Sequence, residues 1–278
     1  MTQRRRFLVV DGYTKDMRAV LQERGATQAG FLYRNMLRMY RPQAECDIAY
    51  PADADAKIED LSGYDAMLWT GSSLTIYDDI PEVIRQVELA REGFRLGKPA
   101  FGSCWALQVA VTAAGGACRL NPKGQEFGIS HALQLTKAGA AHAVFANRSS
   151  PFKAFTSHFD KVATLPADTE ILLSNQQTAI QAADIHHLDG QFFAVQYHPE
   201  FDFQEIAALA AMRHRRLVKD GVFETEQALS QFVDDCRALH VDGADTAARN
   251  RLNASEALVS DAQRHNEFAN WLDINFPV

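Results

Sequence analysis

Short apolar runs rich in β-branched and aromatic residues alternate with helical patterns in the N-terminal part of the chain, and few folds satisfy that alternation. Residues 7–10, 46–50, 66–70 and 99–102 are predicted strands. The stretch 80–96 between the last two is amphipathic: Val83, Ile84, Val87, Leu89 and Phe94 share an apolar side and leave Glu82, Arg85, Glu88 and Arg91 to water. Pro81 suits the first turn of that helix. Strand-helix-strand units of this kind feed a parallel sheet, so the expected class is α/β.

From about residue 118 to 195 the texture changes to strand-like runs separated by Gly, Pro, Asn and Asp, at 127–136, 162–165, 171–174, 179–183 and 192–197. These extend or flank the same sheet. After Pro199 the pattern is helical, over 203–218, 225–240 and 255–272. In the second of these, Leu229, Phe232, Val233, Cys236 and Leu239 form a stripe at helical spacing. The reading divides the chain into an α/β domain at 1–218 and a helical C-terminal extension at 219–278, with the linker 241–246 as the clearest break in pattern inside the tail.

Composition narrows the function classes. Basic residues number 28 against 35 acidic ones, a net charge of -7 that does not suit a polyanion partner, and the basic run Arg4-Arg5-Arg6 reads as solvated charge. The apolar run behind it ends at Asp11 with no small-residue cleavage site, so it is not read as a signal peptide and a cytoplasmic location is expected. No apolar run approaches the roughly 20 residues that cross a bilayer. Cys46, Cys104, Cys118 and Cys236 lack the close pairing of a zinc site, and no histidine and carboxylate cluster has metal-ligand spacing, so neither metal nor cofactor is expected. The segment Gly93 to Lys98 is one residue short of a P-loop, with Pro99 where Ser or Thr is needed. His186 and His187 precede a turn at Asp189-Gly190 and read as surface residues, and Tyr77, Asp78 and Asp79 read as exposed loop.

Taken alone, Cys104 is one more core thiol. Its surroundings say otherwise: Lys98-Pro99-Ala100-Phe101-Gly102-Ser103-Cys104-Trp105-Ala106-Leu107-Gln108 is a buried strand running into a helix, with a small residue two before the cysteine. That pattern makes a nucleophile elbow, a tight turn that presents one side chain at a helix start. The helix N-terminus favours thiolate and offers free N–H groups to a developing oxyanion. Gln196-Tyr197-His198-Pro199-Glu200 closes the last predicted strand with an imidazole and a carboxylate two residues apart. An imidazole can take a thiol's proton, and a carboxylate behind it sets its tautomer.

The segment Gly102 to Gln108 resembles the G-x-C-x-G-x-Q motif of class I glutamine amidotransferases, and Gln196 to Glu200 resembles their Q-[FY]-H-P-E, in the same order. The likeness covers about residues 7–215 and is greatest to stand-alone members like the amidotransferase part of GMP synthetase. It implies a flavodoxin-like, mostly parallel sheet flanked by helices. It also implies that Cys104 is the nucleophile, His198 the base and then acid, and Glu200 its orienting partner. Leu68-Trp69-Thr70-Gly71-Ser72-Ser73 resembles the family's oxyanion loop, making Gly71, Ser72 and Trp105 the implied oxyanion hole. Thr156-Ser157-His158-Phe159-Asp160-Lys161-Val162 resembles the S-H-G-D-x-V stretch beside the bound substrate, so Gln108, Ser157, His158 and Phe159 are the implied substrate-binding residues. Two positions depart from the pattern: Ala106 stands for a glycine within a helix, and Phe159 puts a large ring where the glutamine-side loop has glycine.

Three readings follow. The first is hydrolysis of a γ-glutamyl amide, a conjugate, a peptide or glutamine itself, motivated by Phe159 and by a tail after residue 215 with no acceptor chemistry. The second is a glutaminase subunit that hands ammonia to a separate synthase, and the third is a non-catalytic binding or regulatory protein. The C-terminal helices are expected to serve as a lid or as a surface for such a partner or for self-association.

Overall fold

The computed structural model describes residues 4–56 and 60–277. In it β1 (Arg6–Val10) leads to α1 (Lys15–Glu23) and α2 (Ala29–Tyr40). There follow β2 (Glu45–Ala49), β3 (Ala66–Trp69), α3 (Pro81–Arg95), β4 (Ala100–Ser103) and α4 (Trp105–Ala113). Phe7, Leu8, Val9 and Val10 are wholly buried, as expected of a parallel strand with helices on both faces. Pro81 occupies the first turn of α3 as its position predicts.

The middle of the chain supplies β5 (Ala117–Leu120), β6 (Glu126–Ile129), β7 (Gln134–Leu135), α5 (Lys137–Ala141), β8 (Phe155–His158), β9 (Asp160–Thr164), β10 (Thr169–Ser174), β11 (Ala182–His187) and β12 (Gly190–Val195). Among the described residues the main sheet has eight strands in the order β2-β1-β3-β4-β12-β11-β10-β7. From β2 to β12 the neighbours are parallel, and from β12 to β7 they are antiparallel. The sheet is therefore mostly parallel. Two further antiparallel pairs, β5 with β9 and β6 with β8, form separate two-stranded sheets.

Two strand expectations change. The apolar run 127–136 is not one strand: β6 and β7 belong to different sheets. Gly128 within β6 has φ +90, and beyond that strand the Glu126 carboxylate captures the His131 N–H at 2.9 Å, turning the chain without a Gly or Pro signal at the turn itself. The strand expected at 179–183 is shifted to Ala182–His187, because Asp184 enters the sheet with its charge satisfied by Gln191 at 2.8 Å and His142 at 3.2 Å. His186 is exposed, but His187 is half-buried and packs edge-on against Phe94.

The helical tail is more broken than its periodicity predicts. Residues 203–218 divide at Arg213 into α6 (Phe203–Met212) and α7 (His214–Lys219). Then come α8 (Glu226–Val241), α9 (Thr246–Leu252), α10 (Glu256–Val259), α11 (Asp261–Arg264) and α12 (Asn266–Asn275). The extended Ser260 and the turn at His265 interrupt what reads as one helix at 255–272. Helices α3 and α4 cover one face of the sheet. The other face meets α2 and α12, whose Phe268, Trp271 and Leu272 share an apolar cluster with Phe7 and Phe101. A third cluster joins α1, α6 and α8 beyond the carboxyl ends of the strands. No helix among the described residues is long and apolar enough to cross a membrane.

Candidate functional site

The chain moves outward from β1 to β2 and then returns across β1 to β3, and a sheet with such a reversal opens a crevice at its carboxyl edge. The ends of β1, β3, β4 and β12 deliver Gly12, Gly71, Cys104 and His198 to that edge.

Cys104 joins β4 to α4 with φ 54 and ψ -97, a conformation that costs a non-glycine residue energy and persists because its surroundings impose it. Its N–H donates to the Val195 carbonyl at 2.7 Å, locking the turn to β12. A Cβ on Gly102 would fall 2.3 Å from Ala106 Cβ and 2.7 Å from the Trp69 carbonyl oxygen. The turn thus has room for one methyl group, and with glycine at 102 Ala106 fits within α4. The Cys104 Sγ lies 3.6 Å from the Ser157 carbonyl oxygen.

His198 enters from the other side of the same register. Its N–H donates to the Phe155 carbonyl at 2.8 Å, and its ring stacks flat on Phe201, 4.0 Å between centroids. Nδ1 lies 2.8 Å from Glu200 Oε1, which also accepts from Ser103 Oγ at 2.8 Å. Cys104, His198 and Glu200 are all buried. Burial disfavours the imidazolium, but the Glu200 charge, the neighbouring Cys104 and the hydrogen bond to Glu200 outweigh it and raise the His198 pKa to about 10. A buried thiol, an imidazole held charged and a carboxylate behind it can move a proton to and from a reacting group.

Gly71 packs against this pair: a Cβ there would meet His198 Cε1 at 2.9 Å and Cys104 Cβ at 3.9 Å. Its loop is tied to the one after β1, since Gly12 N donates to Thr70 Oγ1 at 2.9 Å and Ser72 Oγ donates to the Gly12 carbonyl at 2.8 Å. The indole of Trp105 is buried and donates to Gln86 Oε1 at 2.7 Å.

A cavity of about 470 Å³ opens over Cys104 and His198, inside the range of small-molecule sites. Ser72, Gln108, Ser157, His158 and Phe159 all line it. Gln108 is buried with its Oε1 lacking a protein partner. Both ring nitrogens of His158 are engaged by the protein, Nε2 with Glu126 Oε2 and Nδ1 with the Asp160 carbonyl, each at 3.0 Å. The Phe159 ring lies under the Arg216 guanidinium, 4.3 Å from its centroid. Tyr77, though half-exposed, reaches Asp160 Oδ1 at 3.2 Å and also lines the cavity.

Several lining residues escape sequence reasoning: Tyr13, Gln125, Phe201 and Arg213. Arg213 donates from Nη1 to Ser157 Oγ at 2.7 Å. In sequence it is one basic residue in a helical pattern ending Arg213-His214-Arg215-Arg216, and nothing there distinguishes it from its solvated neighbours. Gln125-Glu126 stands just before an apolar run, where polar residues read as strand edge.

Comparison with known proteins agrees with the arrangement of strands and motifs. Residues 32–209 match the family Glutamine amidotransferase class-I. A gamma-glutamyl-L-1-hydroxyisopropylamide hydrolase from Pseudomonas sp. is 34% identical over 96% of this chain and 92% of its own length. A GMP synthase [glutamine-hydrolyzing] from Francisella tularensis subsp. holarctica is 30% identical over 56% of this chain but only 28% of its own. Among solved structures, a glutamine amidotransferase from Thermotoga maritima superposes with a TM-score of 0.60 at 15% identity, covering 91% of this chain and 100% of that one. Another from Methylobacillus flagellatus reaches 0.62 at 14% identity over 99% and 94%. The carboxyl-edge crevice, its two motifs in order and these likenesses lead to one conclusion: the chain belongs to the class-I glutamine amidotransferase family.

Proposed function

We propose that this protein hydrolyses the amide bond of γ-glutamyl amides through a γ-glutamyl thioester on Cys104. The observation that carries the reading is the buried line from Cys104 through His198 to Glu200, with His198 Nδ1 2.8 Å from Glu200 and the imidazole held charged beside the thiol. The Pseudomonas hydrolase, whose name describes cleavage of a γ-glutamyl amide, supports it along nearly the full length of both chains.

In the proposed reaction the Cys104 thiolate attacks the amide carbon, and the oxyanion rests on backbone N–H groups of Gly71 or Ser72 and of Trp105. His198 gives its proton to the departing nitrogen, the carbon–nitrogen bond breaks and the amine leaves. Water then attacks the thioester with His198 as base, releasing glutamate and restoring the thiol. Gln108, with its Oε1 unpartnered in the cavity, is placed to accept from the α-ammonium of the glutamyl part.

The test compares the wild type with Cys104→Ala on glutamine and on a panel of γ-glutamyl amides, with intact-mass detection of the acyl-enzyme. Robust release of glutamate from amides, little from glutamine, and a γ-glutamyl adduct on Cys104 are the expected results. A wild type no faster than Cys104→Ala on every substrate would defeat the proposal. Turnover of glutamine only after adding a synthase would favour an ammonia-delivering subunit instead.

A further inference from the structure

The cavity has two unlike walls. One is built by the loop after β3, α4, the segment before β6 and the β8–β9 strands, and carries Gln108, Gln125, His158 and Asp160. The other comes from α1, α6 and the segments that lead into them, with Tyr13, Met17, Phe201, Leu209 and Met212, all members of or packed on the third apolar cluster. Cys104 and His198 line the same cavity.

The proton donor decides which wall receives which half of the substrate. In the reading proposed above, on which this inference rests, the departing nitrogen must come to His198. The His198 ring is stacked on Phe201, at the root of the second wall. The amine therefore leaves along the apolar wall, while the glutamyl part, rich in hydrogen-bonding groups, meets Gln108 and Gln125. Ammonia has no carbon to bury, so an apolar wall here is matched to a substituted amine.

Two cations line the cavity at that wall, Arg213 and Arg216. Arg213 is half-buried at the junction of α6 and α7 and lines the cavity. Its Nη1 donates to Ser157 Oγ at 2.7 Å, and among the described residues it has no acidic partner. Arg216 differs: it is largely exposed, pairs with Asp220 at 3.3 Å and covers the Phe159 ring. A guanidinium offers five N–H donors in a planar fork, so one hydrogen bond to a hydroxyl leaves most of Arg213 unmatched.

We infer that the leaving amine is a short aliphatic amine carrying an oxygen acceptor, a hydroxyl or a carboxylate, and that Arg213 is the residue that selects it. Arg213 takes no part in bond making; it binds the group that departs with the nitrogen.

Matched pairs of γ-glutamyl amides test this: the hydroxyethylamide against the propylamide, and the carboxyethylamide against the butylamide. The wild type is expected to favour the oxygenated member of at least one pair by about 10- to 100-fold in kcat/KM, and the pair that shows it identifies hydroxyl or carboxylate. In Arg213→Met that preference should collapse to within about threefold. Ser157→Ala removes the tether but keeps the guanidinium, so it should retain the preference even where its rate falls. Arg213→Lys keeps the charge without the fork and should hold an intermediate preference, giving a second reading if the methionine variant folds poorly. Cleavage of the panel without preference, or a preference that survives Arg213→Met, overturns this inference alone. A wild type that cleaves no member and forms no adduct on Cys104 overturns the functional reading and takes the inference with it.

Discussion

Two buried histidines, each paired with a buried glutamate, line the same cavity. In one, His198 gives Nδ1 to Glu200, and its ring stands beside Cys104 in the cavity lining. In the other, His158 has both nitrogens engaged by protein acceptors, Glu126 and the Asp160 carbonyl. The carboxylates differ as well. Glu126 accepts from His158, Gln181, Asn175 and the His131 N–H, so both of its oxygens are satisfied. Glu200 accepts on Oε1 from His198 and Ser103, and its buried Oε2 has no partner. A saturated network rigidifies a core, whereas one with unused capacity beside a thiol can change its protonation during a reaction. Residue type does not separate the two pairs; what the remaining atoms meet does.

The contrast is broken most directly by giving both histidines the same change. His198→Gln removes the proton donor and acceptor beside Cys104, and kcat/KM on γ-glutamyl amides should fall by about a thousandfold or more. His158→Gln should leave kcat/KM within about tenfold but lower folding stability by about 1–3 kcal/mol, because a buried carboxylate loses a hydrogen-bond partner. Urea unfolding midpoints beside steady-state kinetics measure both. If His158→Gln proved the more damaging to turnover and His198→Gln the more damaging to stability, the roles assigned here would have to be exchanged.

A smaller effect separates charge from position. Burial opposes a charged His198, and Glu200 is the chief reason its pKa is nonetheless raised to about 10. His198 must carry a proton to release the amine, so the alkaline limb of kcat/KM should lie well above the ordinary histidine range. Glu200→Gln removes the charge that raises it, so the limb should move down toward neutrality and the plateau should fall by about 10- to 100-fold. The Glu126 pair responds to acid instead. Burial alone raises a carboxyl pKa, but the hydrogen bond and charge of His158, with the His131 and Gln181 donors, hold Glu126 below its ordinary value. Its contribution to stability is present above the ordinary carboxylate range and is lost as pH falls through its lowered pKa. Acid unfolding of His158→Gln should accordingly begin at higher pH than that of the wild type.

Sequence makes one pair much plainer than the other. Cys104 and the His198–Glu200 pair sit at strand ends, and a strand that runs into a helix or stops at His-Pro-Glu is a local pattern. The small residue at 102 is legible for the same reason: the turn needs it within two positions of the cysteine. Glu126 and His158 are 32 residues apart and Arg213 and Ser157 are 56 apart, so their meaning exists only once β6 pairs with β8 and α6 returns over the strand ends. The apolar run at 127–136 hides that pairing, since its break depends on Gly128 and on a side-chain carboxylate capturing the His131 N–H. The parallel sheet is legible because its strands are buried on both faces. The breaks at Arg213, Ser260 and His265 are not, because apolar periodicity continues across them.

The smallest expected effect probes how Glu200 is held. Ser103 Oγ donates to the same Glu200 oxygen that faces His198 Nδ1, and Ser103 is wholly buried. Ser103→Ala removes this donor and leaves the carboxylate its charge. The carboxylate then has a single hydrogen bond from a side chain that moves with the reaction, and its orientation is less restrained. A neutral hydrogen bond of this kind contributes about 1 kcal/mol, so kcat/KM should drop about two- to fivefold. The alkaline limb should stay where it is in the wild type, because the charge that sets it remains. A limb that moved as far in Ser103→Ala as in Glu200→Gln would mean that hydrogen bonding, not the Glu200 charge, keeps His198 protonated, and the contrast with the fully satisfied Glu126 would then need another cause.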